Sequence, residues 1–153
     1  MVYDWKVLAI GGVRSKFFKE AAAEYEKRLK PFARLRITEL KSTSFGVSDK
    51  ERAKAKEMER LVSVLEKEEK NKVCLLDAAG DKLDSDKFAE LVDSIPGVVF
   101  VVGGSLGFSD ELKKKYRRIS LTSLTLPHEL ARVVLLEQLY RAAAKLRGKT
   151  YDY

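Results

Sequence analysis

The sequence has very few of the residues that form disulfides, metal centres and hydrolytic sites. Its 153 residues include one cysteine, Cys74, and one histidine, His128. A single cysteine excludes a disulfide within the chain and a cysteine-based metal site. A Ser-His-Asp triad would need His128, which no GxSxG nucleophile motif accompanies. A metal site built from His128 and carboxylates has no spacing signal. The sequence therefore predicts neither a hydrolase of these types nor a metal site.

Long apolar runs and targeting signals are also absent. No run approaches the ~20 apolar residues that cross a bilayer, and the N-terminal residues MVYDWK lack the apolar core of a signal peptide. The sequence has no internal repeats, linkers or low-complexity segments. We therefore expect a single domain over residues 1–153, in a cytoplasmic protein that contacts no membrane.

Positive charge is concentrated towards the C-terminus. The chain carries 30 Lys and Arg against 23 Asp and Glu, a formal net charge of +7. Residues 1–112 hold 20 of each sign, whereas residues 113–153 hold 10 basic and 3 acidic residues, interrupted by tyrosines. Phosphates attract such cations, and unpaired bases stack on exposed rings. The pattern indicates RNA as a partner, although a solvated basic helix end has the same composition.

Hydrophobic periodicity predicts alternating strands and helices. Strands are expected at 5–10, 35–40, 72–77, 98–104 and 118–122. Helices are expected over 16–29, from the capping-box sequence SDKE (48–51) to about 71, over 86–94, after Ser109, and with Pro127 in the first turn of the last one. The segment AAGDKLDS (78–85) is expected to form a turn. This order predicts an α/β fold with a mostly parallel sheet.

Two local features are candidates for function. Gly103, Gly104 and Gly107 follow a buried strand and precede a capped helix, where the backbone can approach a ligand, although glycine turns that only connect elements are commoner. In the last helix, Arg132 falls on the apolar face. A guanidinium there pairs with a carboxylate, reaches water at the helix end, or enters an active cleft, and the neighbouring loop favours the cleft.

Several segments together resemble one protein family. GGSLGFS (103–109), LTSLTLPHELARVVLLEQLYRA (121–142) and RGKTY (147–151) are similar to the RlmH family of SPOUT methyltransferases, which methylate N3 of a pseudouridine in 23S ribosomal RNA. LAIGG (8–12) and VCLLDAAG (73–80) agree with the family in order and spacing, so the likeness extends over essentially the whole chain. The resemblance implies methylation of ribosomal RNA on the assembled ribosome, with S-adenosyl-L-methionine as cofactor.

The resemblance also implies a fold and a cofactor site. The SPOUT fold is a mostly parallel sheet whose C-terminal chain is threaded into a trefoil knot, and its members form homodimers. S-adenosylmethionine lies in the knot, held mainly by backbone atoms of three loops. On this sequence the three loops are represented by Leu76, by Gly103 and Gly104, and by Leu121, Thr122, Ser123, Leu124, Thr125 and Leu126. We expect Gly104→Val to abolish cofactor binding in a chain that still folds.

The reaction itself needs little acid–base machinery. Methyl transfer from a sulfonium is an in-line displacement that depends mainly on positioning, although the imide N–H of the base must lose its proton. His128, Arg132 and Arg141 are the catalytic candidates, because each side chain can orient the base or stabilise its developing negative charge. Lys149 and Tyr151 are the candidates for RNA binding.

The C-terminus departs from the family, and two alternatives stay open. Family members commonly end in Tyr-His and a basic residue, whereas this chain ends Tyr151-Asp152-Tyr153. If the terminal His helps to position the target base, Asp152 must do so differently or not at all. One alternative is a SPOUT methyltransferase with another RNA substrate. The other is a non-catalytic ribosome-binding α/β dimer, which a test of S-adenosylmethionine binding would distinguish from an enzyme.

Overall fold

The computed structural model describes residues 2–44, 46 and 49–149. Its strands are β1 (Tyr3–Ile10), β2 (Ala33–Leu40), β3 (Val73–Lys82), β4 (Val99–Val102) and β5 (Arg117–Ser120). Its α-helices are α1 (Lys16–Leu29), α2 (Lys50–Leu65), α3 (Ser85–Ser94), α4 (Asp110–Lys115) and α5 (His128–Leu146). Strands and helices alternate in the order that the sequence predicts.

The strands form one parallel sheet in the order β2-β1-β4-β3-β5. β1 pairs with β2 along its whole length, from Tyr3 opposite Ala33 to Ile10 opposite Leu40. All four residues of the central strand β4 are buried, as expected for a parallel strand covered on both faces. The predicted α/β fold with a mostly parallel sheet is confirmed, and the trefoil knot stays a prediction.

Helices cover both faces of the sheet. Because side chains alternate along a strand, Trp5 and Val7 do not share a face with Leu8. Trp5 and Val7 belong to a core cluster with α1, α3 and α5, and Leu8 belongs to a second cluster with α2 and α4. Full burial of one large apolar side chain contributes roughly 1.5–3 kcal/mol. The two clusters therefore hold the strand ends, and the loops that follow them, in a fixed arrangement.

The second helix is shorter than its sequence predicts. α2 ends at Leu65, whereas the periodicity extended it to about residue 71. Leu65 is fully buried, and the residues after it, EKEEKNK, bring no apolar side chain to pack against the sheet. Helix propensity alone does not hold an extra turn without such packing. Of the capping box, Ser48 lies outside the described residues, and Asp49 makes no side-chain cap hydrogen bond.

The third strand is longer than predicted, and the turn expected at 78–85 is wrong over residues 78–82. β3 continues to Lys82 with a bulge, because Leu76 and Asp81 both pair with Ile119 of β5. At Gly80 an added Cβ would lie 2.7 Å from the backbone carbonyl carbon of Arg118. The glycine therefore permits a close approach of two strands. β4 and β5 each end two residues before the C-terminal ends predicted at 98–104 and 118–122, and loops begin there.

Candidate active site

A cavity of about 550 Å³ opens beside the bulge of β3 and beyond the carboxyl ends of β4 and β5. Three chain segments supply most of its wall: 76–78, 102–108 and 121–128. Parallel α/β sheets bind ligands beyond the carboxyl ends of their strands, and small-molecule sites commonly measure ~300–1,000 Å³. The position and size of the cavity suit a ligand the size of a nucleoside derivative.

Eight of the nine predicted cofactor residues line this cavity. They are Leu76, Gly103, Gly104, Leu121, Thr122, Leu124, Thr125 and Leu126. Ser123 does not line it. The fold thus brings together three segments that are far apart in the sequence, and binding of the cofactor by these residues stays a prediction.

The glycine segment forms a wall that packs against the protein interior. A Cβ added at Gly103 would lie 3.1 Å from the ring of Phe108, and one added at Gly104 would lie 3.2 Å from Ile10 Cγ2 and 3.5 Å from Glu57 Oε1. A side chain at position 104 would therefore press on the core beneath the loop. Gly104→Val would therefore also disturb packing, and its expected loss of cofactor binding in a folded chain stays a prediction.

The loop after β5 is shaped by its own polar side chains. The Ser120 hydroxyl donates a hydrogen bond to the carbonyl oxygen of Thr122, 2.7 Å away, and the backbone N–H of Leu124 donates to Thr122 Oγ1 at 3.2 Å. The Leu124 side chain is 70% exposed at the cavity rim. The segment combines apolar side chains with accessible backbone groups, which is the chemistry that an adenine ring needs.

One lining carboxylate was missed by the sequence analysis. Asp77 Oδ1 accepts a hydrogen bond from the backbone N–H of Ala79 at 3.0 Å, and Oδ2 accepts one from Arg118 Nη1 at 3.2 Å. Burial alone would raise the pKa of the Asp77 carboxyl, but these hydrogen bonds and the nearby charge of Lys113 hold the pKa below its usual value. Its position directly after the buried run VCLL was an available signal.

The three catalytic candidates are not brought together. His128 lines the cavity at the start of α5, whereas Arg132 and Arg141 do not. The Arg132 guanidinium donates to Glu39 Oε2 at 2.7 Å and to the carbonyl oxygen of Gly11 at 2.8 Å. The prediction that Arg132 reaches the cleft is wrong within this chain. A buried guanidinium needs hydrogen-bond partners, and Arg132 has them in Glu39 of β2 and in Gly11, directly after β1. Its catalytic role stays a prediction.

The remaining candidates lie at the C-terminal end. Arg141 donates to Glu137 Oε1 from Nη2 at 2.5 Å and from Nε at 3.1 Å, one helical turn apart. Lys149 is exposed, with its ammonium 5.2 Å from the centre of the Phe32 ring. Tyr151 and Asp152 lie outside the described residues. RNA binding by Lys149 and Tyr151 stays a prediction.

A second crevice, of about 880 Å³, separates α2 from α4. It contains none of the predicted site residues, and its acidic side chains outnumber its two lysines, Lys54 and Lys115; the acidic ones are Glu51, Glu59, Glu66, Asp110 and Glu111. This charge is unfavourable for nucleic acid. The cavity beside β3, although smaller, is therefore the better candidate for an RNA-modifying site.

The described residues hold one buried thiol and no cluster of potential metal ligands. Among residues 2–44, 46 and 49–149, no group of three or more His, Cys, Asp and Glu side chains is arranged to hold a metal ion. Cys74 is fully buried, and its burial raises the pKa of the thiol to about 11. No helix in the same described ranges has both the length and the apolar character needed to span a bilayer.

Comparisons with known proteins relate the chain to one family. The family model described as "Predicted SPOUT methyltransferase" matches residues 3–152. Two relatives named ribosomal RNA large subunit methyltransferase H, from Desulfitobacterium hafniense and Thermodesulfovibrio yellowstonii, are 38% and 37% identical to it. The first alignment covers 95% of this chain and 96% of the relative, and the second covers 99% and 100%.

A solved structure shares the fold. The crystal structure of TrmJ from Z. mobilis ZM4 superposes with a TM-score of 0.50, covering 93% of this chain and 70% of that chain. The two sequences are 11% identical, so this likeness concerns the fold alone.

Proposed function

The chain belongs to the SPOUT methyltransferase family, and we propose that it transfers the methyl group of S-adenosylmethionine to N3 of a pseudouridine in 23S ribosomal RNA. The family resemblance inferred from the sequence is confirmed by relatives that align over nearly their whole length. Their name, ribosomal RNA large subunit methyltransferase H, supports the substrate. The main structural support is that the three predicted loops line one and the same cavity.

The residues of this cavity suit the cofactor. Aliphatic side chains such as Leu76 and Leu126 suit the apolar surface of an adenosine, and the loop backbone offers hydrogen bonds to its ring and ribose. The charged groups Asp77 and Lys113 suit the ionic parts of the molecule. When bound, S-adenosylmethionine supplies a methyl group made electrophilic by a positively charged sulfur.

The protein's contribution to the reaction is chiefly to position the base. Holding the methyl carbon and the attacking nitrogen at reacting distance is worth roughly 7–11 kcal/mol. His128 is the candidate that reaches the cavity, and its imidazole is proposed to accept the imide proton or to orient the base. Arg132 and Arg141 already bond to carboxylates, so any part they take in the reaction would require those bonds to be exchanged.

Charge next to the cavity supports RNA as the substrate. Lys113 lines the cavity, and Lys114, Lys115 and Arg117 follow it on the exposed surface. Lys113 places one cation at the cavity, and cations attract a phosphate backbone. Because this basic surface is small for one chain, the proposal includes the assembled ribosome in the cytoplasm as the substrate particle.

The proposal includes a homodimer of one-domain subunits spanning residues 1–153. The exposed apolar side chains support it, because Leu124 at the cavity rim is 70% exposed and Phe17 at the start of α1 is 66% exposed. A second subunit that covered them would remove apolar surface from water. Sedimentation at micromolar concentration tests this, with a dimer expected and a monomer contradicting it.

Transfer of labelled methyl groups tests the activity. Purified protein is incubated with labelled S-adenosylmethionine and ribosomal particles from a strain in which the gene is deleted, and in parallel with free 23S ribosomal RNA and with transfer RNA. We expect about one methyl group per particle, little label in free RNA, and less transfer as salt is raised. Efficient labelling of transfer RNA, or none of any substrate, contradicts the proposal.

A further inference from the structure

We propose that Asp77 and Lys113, which line the same cavity, form a subsite for the amino-acid end of the cofactor. The Asp77 carboxylate binds the α-ammonium group and the Lys113 ammonium binds the α-carboxylate. This inference rests on the proposed function, because it takes S-adenosylmethionine as the ligand. It assigns a direction to the cofactor in the cavity.

The distribution of charge in the cavity supports this direction. Among the described residues that line the cavity, the ionisable side chains are Asp77, Lys113 and His128. The other lining residues are glycines, aliphatic or aromatic side chains, proline, serine and threonines. A zwitterionic group placed against apolar walls would lose its hydration without replacement. Asp77 and Lys113 provide one charge of each sign.

Asp77 is ionised and has capacity for a further hydrogen bond. Each carboxylate oxygen accepts one hydrogen bond in the structure, from Ala79 N–H and from Arg118 Nη1, and each oxygen has a second lone pair. The side chain is 15% exposed, towards the cavity that it lines. Arg118 and the backbone fix the orientation of the carboxylate, so a ligand ammonium meets an acceptor that is already in place.

The Lys113 side chain lines the cavity without an ion-pair partner among the described residues. Within residues 2–44, 46 and 49–149 its ammonium makes no ion pair, so it lies beyond ion-pair distance from Asp77 as well. Lys113 and Asp77 line the same cavity, and the positive charge of Lys113 helps to lower the pKa of Asp77. Two opposite charges that line one cavity without pairing leave room for a ligand that carries both.

The same features disfavour a role for Asp77 as the general base. A carboxylate whose pKa lies below its usual value holds a proton weakly at neutral pH. Asp77 is also fixed on the β3 segment, whereas the proposed base, His128, begins α5 on another segment of the wall. Asp77 is therefore assigned to binding.

Calorimetric titration with three ligands tests the subsite. S-adenosylmethionine has both the amino-acid end and the sulfonium charge, S-adenosylhomocysteine has the amino-acid end alone, and 5′-methylthioadenosine has neither. We expect Asp77→Asn and Lys113→Met each to weaken binding of the first two ligands at least ~10-fold. Binding of 5′-methylthioadenosine should change less than ~2-fold. Asp81→Asn and Lys114→Met are the matched controls, since neither residue lines the cavity.

Any other pattern of affinities for the three ligands contradicts the inference. Equal weakening of all three ligands means that the substitutions deform the cavity. Weakening of S-adenosylmethionine alone assigns Asp77 to the sulfonium and removes the amino-acid subsite. Because Asp77→Asn also weakens the bond to Arg118, Lys113→Met is the decisive variant if Asp77→Asn fails to fold. A wild-type protein that binds none of the ligands overturns the proposed function as well, which separates the two failures.

Discussion

The guanidinium of Arg132 in α5 is bound to the carboxylate of Glu39 in β2, with Nη1 and Oε2 2.7 Å apart. Nη2 donates a second hydrogen bond to the carbonyl oxygen of Gly11, at the end of β1. The Arg132 side chain is 8% exposed and that of Glu39 is 48% exposed. The pair therefore joins the last helix to the edge of the sheet and explains a charge on an apolar helix face.

Arg132→Lys is expected to lower stability and spare the reaction. A lysine cannot donate in two fixed directions, so the bond to Glu39 or to Gly11 is lost, at a cost of about 1–3 kcal/mol. Urea unfolding and single-turnover methyl transfer are measured on one preparation, with Glu39→Gln as the matched variant. Unchanged stability with at least ~10-fold slower transfer, about 1.4 kcal/mol, would instead support a catalytic Arg132.

Glu129→Gln is expected to flatten the acid side of the stability profile. Glu129 Oε1 accepts from the backbone N–H groups of Ser15 at 3.0 Å and Arg14 at 2.5 Å, next to the N-terminus of α1, where the Ser15 side chain makes no cap hydrogen bond. These bonds, that of Ser15 first, lower the pKa of Glu129 from 4.5. The stability that the carboxylate contributes is present above that value and is lost as pH falls through the folded-state pKa.

Urea unfolding of both proteins between about pH 3 and pH 6 measures this effect. The wild type should lose more stability than Glu129→Gln as the pH falls through this range. Parallel profiles for the two proteins would show that the contact adds no pH-dependent stability.

Gly80→Ala is expected to destabilise the protein and weaken cofactor binding together. The added Cβ would stand 2.7 Å from the Arg118 carbonyl carbon, so β3 and β5 must separate, at a cost of about 1–3 kcal/mol. The bulge they enclose carries Leu76 and Asp77 of the cavity wall. Thermal melting and calorimetry are compared with Gly46→Ala, whose Cβ would meet nothing within 4 Å. Equal behaviour of the two variants would remove the reason given for glycine at position 80.

Cys74 is expected to be unreactive until the protein unfolds. With a pKa of about 11, about one thiol in a thousand is ionised at pH 8, and a buried thiolate is also out of reach of reagents. A disulfide reagent such as Ellman's should release one equivalent of chromophore in denaturant and almost none in buffer. Rapid reaction of the native protein would contradict the burial of this strand.

Local patterns were sufficient to predict the elements whose apolar residues repeat regularly. The first helix and the apolar face of α5 follow from such repeats, because each buries one face against the same core. The first strand follows instead from its apolar run, which is buried on both faces. The extension of β3 depends on the pairing of Asp81 with Ile119, which no local window contains. The end of α2 likewise depends on whether the residues after Leu65 have side chains that can pack against the sheet.

The parts of the site that lie in segments resembling the family could be predicted from the sequence. The parts formed by contacts between residues distant in sequence could not. The cavity loops were named from the resemblance, while Asp77 and Lys113 were missed because no local window contains both and only the fold places them in one cavity wall. Glu39 lies 93 residues from Arg132, so the sequence offered no reason to choose it among the other carboxylates. Long-range pairing of this kind is the part that only the fold determines.

The most direct test of the account uses mass spectrometry of 23S ribosomal RNA nucleosides. Ribosomal particles from the deletion strain are first reacted with S-adenosylmethionine and the wild-type protein, or with one of two variants substituted at adjacent positions. Ala78 lines the cavity and Ala79 does not, and both side chains are exposed, so Ala78→Phe fills the cavity while Ala79→Phe is its control. The account predicts methylated pseudouridine with the wild type and Ala79→Phe, and none with a folded Ala78→Phe. Equal methylation by all three proteins, or methylation of a different nucleoside, would contradict it.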